Sequence, residues 1–123
     1  MSGPSLVVDT NIILYLLNGD QTLSELLEEK LVYVSFITEL ELLSYSDLKK
    51  KEREKIQDFL NSIIVIDINP AIKANVISIR SDYRIKLPDS IIAATAQYLQ
   101  LPLFTADKQL GQIKSLSVAL YER

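Results

Sequence analysis

The chain has 123 residues, 48% of them hydrophobic, with 13 Lys and Arg against 16 Asp and Glu and a formal net charge of −3. That length and apolar content describe one domain able to bury about two-thirds of its unfolded surface, and they argue against disorder. With no cysteine and no histidine, disulfides, thiolate or imidazole metal sites, cysteine nucleophiles and Ser-His-Asp catalysis are excluded. Any hydrolytic chemistry rests on carboxylates, lysines, hydroxyls or a metal held by oxygen.

In chain order, Met1 to Ser5 carry no basic segment and no long apolar one, so no secretory signal is expected. Leu6-Val7-Val8 is a short, β-branched apolar run and reads as a buried strand. A helical pattern follows from Thr10 to Asn18, with Gly19 as its stop. Gln21 to Lys30 places Leu23, Leu26 and Leu27 at helical spacing, and Leu31 to Val34 reads as a second strand. Phe36 to Tyr45 is helical, as is the charged stretch Lys49 to Asn61 with Ile56, Phe59 and Leu60 inward. Ile63 to Ile66 is a continuous β-branched run, the pattern of a strand covered on both faces. Helices are expected from Pro70 to Tyr83 and from Asp89 to Gln100, opened by Pro88. Leu103-Phe104 makes a very short strand, Asp107 to Ile113 a short helix or turn, and Leu116 to Leu120 a last strand. Strands alternating with helices predict an α/β fold: a single domain over 1–123 with a central, mostly parallel β-sheet flanked by α-helices. The longest apolar runs, Ile12 to Leu17 and Ile63 to Ile66, fall far short of the roughly 20 residues that cross a bilayer. No membrane segment is expected, and the missing cysteines fit a cytoplasmic protein.

Parallel sheets bind ligands outside the carboxyl ends of their strands. Asp9 directly follows the first strand and Asp107 lies just past Leu103-Phe104, so both project at that rim. Each has two readings, a helix N-cap or part of a site. Asp89 stands above the apolar stripe of Ile92, Ala93 and Ala96 instead of on the solvent side, with capping after Pro88 as the competing reading. Small residues at Ala93, Ala94 and Ala96 let that helix approach the sheet closely. Glu39 and Glu41 point to nearly opposite sides of one helix. The apolar direction set by Phe36, Ile37, Leu40 and Leu43 lies between them, so periodicity does not choose. Three or four acids converging without a lysine or histidine among them repel each other, and either protons or a cation must answer that charge. Hard ions such as Mg²⁺ or Mn²⁺ take oxygen ligands, polarise phosphoryl oxygens and acidify bound water.

These segments, taken together, resemble the PIN-domain family, specifically the VapC-type toxins of prokaryotic toxin–antitoxin pairs. Val7-Val8-Asp9-Thr10-Asn11 is similar to the family's opening strand with its first acid. Ser35-Phe36-Ile37-Thr38-Glu39-Leu40-Glu41-Leu42 resembles its Ser-x-Ile-Thr-x-x-Glu-Leu segment, which makes Glu41 the second acid and Glu39 a bystander. Leu87 to Ala96 resembles the third motif, an Asp opening an Ile/Ala-rich helix, and Leu103-Phe104-Thr105-Ala106-Asp107 the fourth, with Thr105 at the hydroxyl position. The resemblance implies a Mg²⁺- or Mn²⁺-dependent endoribonuclease that hydrolyses RNA phosphodiesters. It implies Asp9, Asp89 and Asp107 as metal ligands and Glu41 as the residue that orients or deprotonates the attacking water. It also implies a homodimer and a cognate antitoxin partner. Two departures stand out: Leu110 replaces the aromatic residue common after the last acid, and Tyr83-Arg84-Ile85-Lys86 replaces a stretch that often contains Gly.

Two basic groups offer phosphate contacts in an otherwise acidic chain. Lys49 to Lys55 holds five basic and two acidic residues and reads first as a solvated helix face. Arg80, Arg84 and Lys86 precede Asp89 and are the better candidates for holding RNA. Tyr83 and Tyr98 are candidates for base stacking, with a core or interface role as the plainer reading. Two other functions are weighed against the nuclease. A phospho-accepting receiver domain would use Asp67 as acceptor and Lys108 as phosphate contact, although Asp9 lacks the adjacent acid such domains carry. A non-catalytic PIN scaffold would keep the acids and bind only a partner.

Overall fold

Val7 and Val8 are neighbours in sequence, both fully buried, and they enter different cores. That is the pleat of a strand covered on both faces, because successive side chains point to opposite sides. In the computed structural model, which describes residues 4–122, this strand is β1 (Ser5–Val8) of a five-stranded sheet. The others are β2 (Leu31–Ser35), β3 (Ile64–Ile66), β4 (Leu103–Thr105) and β5 (Val118–Leu120), in the order β3-β2-β1-β4-β5. Every pairing is parallel.

The helices cover both faces. On the side of Val8, α1 (Thr10–Leu17), α2 (Gln21–Leu27), α3 (Phe36–Leu43) and α4 (Lys50–Asn61) bury Ile12, Ile13, Leu23, Leu42, Ile56 and Leu60. On the side of Val7, α5 (Pro70–Asp82) and α6 (Leu87–Leu99) bury Ile72, Ile79, Ile92, Ala93, Ala94 and Ala96. A 3₁₀ turn, Lys108–Gln112, follows β4. Local chemistry accounts for the boundaries. Asn69 caps α5 by accepting from Ile72 N at 2.8 Å, with Pro70 at its first position where no N–H is needed. Gly19, at φ +95°, carries the chain out of α1 in a conformation that side-chain-bearing residues avoid.

Several expectations need correcting. The apolar run Ile63 to Ile66 is not sandwiched in the middle: β3 is an edge strand and all three of its residues are only half-buried. Helices lie over its faces, so its sequence looks central while its outer hydrogen-bonding edge is unpaired within the sheet. Leu40, expected inward, is 51% exposed, and α3 instead buries Thr38 and Leu42. The last strand is shorter than Leu116 to Leu120, and α2 ends at Leu27. The departure at Leu110 is a packing matter, because Leu110 is fully buried beside Leu103 and Ile113.

The strand order also disposes of the receiver reading. A flavodoxin-like order, 2-1-3-4-5, would place the end of β3 centrally. Here β3 is the outermost strand, and Asp67 is exposed and caps its own turn by accepting from Ile68 N at 2.8 Å. Met1–Gly3, the start of the segment read as lacking a signal, and Arg123 lie outside the described residues.

Candidate active site

A parallel sheet opens a crevice at its carboxyl edge where the chain reverses direction of build, here between β1 and β4. The register pairs Val8 with Phe104, and Asp9 N donates to Phe104 O at 3.0 Å, so Asp9 and Thr105 leave the sheet side by side. Thr105 Oγ1 donates to Asp9 Oδ2 at 2.5 Å and accepts from Asp107 N at 3.0 Å. One fully buried hydroxyl therefore connects two acids that are far apart in sequence.

Asp9 occupies the N-cap position of α1 but makes no capping bond with its side chain. Its 4% exposure makes that notable, because a buried carboxylate usually has a structural partner to justify its desolvation. Burial raises its pKa above the ordinary carboxylate value, with Asp107 and Glu41 adding to the rise, while hydrogen bonds from Thr105 and the Thr10 backbone pull the other way. Asp107 behaves differently. Its Oδ1 accepts from Gln109 N at 2.9 Å and caps the 3₁₀ turn, so both readings of that residue hold at once: one oxygen caps while the residue stays within electrostatic reach of Asp9.

Asp89 lies in the first turn of α6, two residues inside the helix start at Leu87, so the competing reading of it as a cap after Pro88 does not hold. A helix N-terminus favours a negative charge by up to about 1 kcal/mol at an exposed site. Desolvation outweighs that here, and the charges of Asp9, Asp107 and Glu41 add to it, so the Asp89 carboxyl is pushed up to about 6. Lys86 opposes the shift only as the last and smallest influence. Glu41, half-buried on α3, accepts from Thr10 Oγ1 at 2.7 Å. Periodicity could not choose between Glu39 and Glu41, whereas the fold ties Glu41 to the first residue of α1 and makes it one of the charges felt at both Asp9 and Asp89.

The charges of Glu41 and Asp107 thus bear on both Asp9 and Asp89 at one edge of the sheet. Among the described residues, no three acidic side chains already stand as the ligands of an ion. Asp107 is drawn towards the 3₁₀ turn and Glu41 towards Thr10, so a closed cage would need side-chain movement. The donor set itself is all oxygen and mostly carboxylate, which suits a hard divalent cation and no soft one. A hollow of about 500 Å³ sits at the opposite end, by the starts of β2 and β3, lined by Leu31, Val32, Phe59 and Ile63 among others.

Arg80, Arg84 and Lys86, expected to hold phosphates, line a shallow depression of about 460 Å³ with Tyr83 and Ile85. Lys86 connects it to the acids through its influence on Asp89. Tyr83 is half-buried against the core and its hydroxyl accepts from Lys114 N at 3.2 Å, which ties it to packing. Within the basic stretch of α4, Arg53 donates to Leu43 O at 3.2 Å and Lys55 to Leu17 O at 2.8 Å, so those two cations tie helices together. Sequence reasoning missed Thr10 and Thr38, whose hydroxyls lie 3.0 Å apart beside Glu41. Only their placement on two acid-bearing segments hinted at them.

A family model described as the PIN domain matches residues 6–116. Among solved structures, a toxin–antitoxin complex from Klebsiella pneumoniae is 30% identical, with a TM-score of 0.84 over 96% of this chain and 99% of that one. VapBC-1 from nontypeable Haemophilus influenzae is 25% identical, with a TM-score of 0.76 over 94% of this chain and 97% of that one. VapBC2 from Rickettsia felis, bound to a DNA fragment from their promoter, has a TM-score of 0.86 at 22% identity over 96% and 99% of the two chains, a likeness of fold. No curated protein sequence matches the chain.

Proposed function

The chain belongs to the PIN-domain family and is of the VapC type, and on that footing we propose that it is a Mg²⁺- or Mn²⁺-dependent endoribonuclease, the toxin of a toxin–antitoxin pair. The observation that carries the reading is the placement of Asp9, held by Thr105 at the carboxyl edge of β1 and β4, where the charges of Glu41 and Asp107 bear on both Asp9 and Asp89. Asp9, Asp89 and Asp107 would hold the ion, and its charge would offset the burial and the neighbouring acids that push the Asp89 carboxyl up to about 6. The bound ion supplies Lewis-acid polarisation of a phosphoryl oxygen and acidifies water without an imidazole.

The chain's own residues do the rest. Thr105 fixes the Asp9 carboxylate by hydrogen bond, so that residue enters coordination already oriented. Glu41 orients the attacking water and takes its proton. Arg80, Arg84 and Lys86 bind backbone phosphates on the approach to Asp89 and set the RNA's position without reading its bases. We further infer a cognate antitoxin as partner, on the strength of the toxin–antitoxin assemblies among the structural likenesses, and a homodimer in the cytoplasm. Among the described residues no helix is long and apolar enough to cross a membrane.

Incubation of the purified protein with total cellular RNA, followed by mapping of the new ends, tests the activity. Discrete new ends that need Mg²⁺ or Mn²⁺ and vanish in Asp9→Asn and Asp89→Asn are expected. Cleavage that survives chelation, or is unchanged in both variants, overturns the proposal. A protein that captures its antitoxin yet neither takes up metal nor cuts RNA is the non-catalytic scaffold instead.

A further inference from the structure

Thr10 and Thr38 are buried, at 7% and 0% exposure, and neither has a role in the scheme above. Helical threonines and serines ordinarily return the hydroxyl to a carbonyl four residues back. Thr95 does so in α6, to Ile91 O at 2.8 Å, and Ser81 does so in α5, to Ile77 O at 2.9 Å. Thr38, inside α3, instead reaches across to α1, its Oγ1 3.0 Å from Thr10 Oγ1. Thr10 Oγ1 in turn lies 2.7 Å from Glu41 Oε1.

Proton counting gives this contact a direction. An ionised carboxylate only accepts, and a threonine hydroxyl has a single proton to give. Thr10 spends its proton on Glu41, so between the two hydroxyls Thr38 must be the donor. We propose that Thr38 and Thr10 are positioning residues: a one-way hydroxyl chain, Thr38 to Thr10 to Glu41, that pins Glu41 Oε1. Glu41 Oε2, which has no hydrogen-bond partner among the described residues, is then the oxygen that meets the attacking water. The inference rests on the ribonuclease reading for its purpose but not for its geometry. Thr10 also addresses Asp9, through its backbone N–H. A valine at position 10 keeps that N–H and removes only the hydroxyl, so the two contributions separate cleanly.

The test combines kinetics with a readout that needs no metal. Loss of a hydrogen bond that orients a reacting group typically costs about 10–100-fold. Thr10→Val and Thr38→Val are each expected to lower kcat by about that range with KM within about twofold. Thr10→Ser and Thr38→Ser should recover most of the loss. In a Glu41→Gln background, Thr38→Val should add almost nothing, because a residue acting through Glu41 has nothing left to act on. In metal-free protein labelled at glutamate Cδ, the Glu41 carboxyl resonance should move in both valine variants and stay put in both serine variants. Circular dichroism checks that each variant folds. Additive losses, serine variants no better than valine, or an unmoved resonance overturn the hydroxyl chain. A wild-type protein that cuts no RNA overturns the ribonuclease reading, and the resonance alone then decides whether the chain orients Glu41.

Discussion

Asp9 and Asp20 stand at the same place in their helices, the residue before the first turn, and they are used in opposite ways. Asp20 caps α2 by accepting from Leu23 N at 3.0 Å and also receives the Tyr121 hydroxyl at 2.9 Å on its other oxygen. Asp9 makes no side-chain capping bond to α1 beyond the adjacent Thr10 N–H, is more deeply buried, and takes a hydrogen bond from Thr105 across the sheet. One carboxylate closes a helix end and anchors the C-terminal segment. The other is set into the crevice, where burial and the charges of Asp107 and Glu41 raise the cost of its own. A residue kept in an unfavourable setting while its easier structural use goes unfilled is the physical mark of a site.

Substitution should pull the two apart. Removing a metal ligand is expected to exceed the roughly 100-fold loss typical of disturbing its supporting bonds, so Asp9→Asn should abolish RNA cleavage by gel assay. The same change lifts a buried like charge, and thermal melting without metal should show no loss of stability. Asp20→Ala should reverse the pattern, costing about 1 kcal/mol in denaturant titration while cleavage persists. If both variants lost activity and stability alike, the contrast would reduce to ordinary folding.

Thr105→Val comes next in size. It leaves every acid in place but frees Asp9 and unties the Asp107 N–H, so cleavage should fall by about 10–100-fold. Mn²⁺ affinity measured by calorimetry should fall with it.

The pH dependence sharpens the contrast further. Asp89 is raised to about 6 from its ordinary value of 3.8, so between those values the folded state binds more protons than the unfolded chain. Stability from this group is full below about pH 4 and is lost as pH climbs through about 6, and Asp9, raised as well, acts in the same direction. Metal-free protein should therefore melt at lower temperature at pH 7 than at pH 5, and Asp89→Asn should flatten that slope. Divalent metal, which competes with the proton, should bind more tightly across the same interval. A melting temperature that rises over this range would contradict the proposed crowding.

The smallest effect belongs to the basic depression. Arg84→Ala should raise KM several-fold with little change in kcat. Each lost phosphate contact should lower the salt dependence of RNA binding by about 0.7 in a log–log plot.

The sequence made some of this legible and hid the rest for definable reasons. Strand β1 and helix α6 were readable because apolar period and small residues report burial directly. The edge position of β3 was not, since a half-covered edge strand and a central one carry the same β-branched run. The exposure of Leu40 was missed because α3 packs a threonine, Thr38, where a leucine was expected. Asp9, Asp89 and Asp107 could be placed near one rim from strand ends, but their competing uses could not be separated. Capping is a bond to an N–H two or three residues on, and only coordinates show that Asp107 makes one and Asp9 does not. The threonine tethers join residues 28 and 96 positions apart, and periodicity says nothing about such pairs.

The central claim is that the acids at the carboxyl edge act as one cation site. Mn²⁺ binding followed by electron paramagnetic resonance tests it directly, on wild type, Asp9→Asn, Asp89→Asn and Asp20→Asn at pH 7. The account predicts that wild type and Asp20→Asn take up the ion with similar affinity, whereas Asp9→Asn and Asp89→Asn each weaken it by more than about 100-fold. Mn²⁺ held equally by all four proteins, or by none, would contradict it.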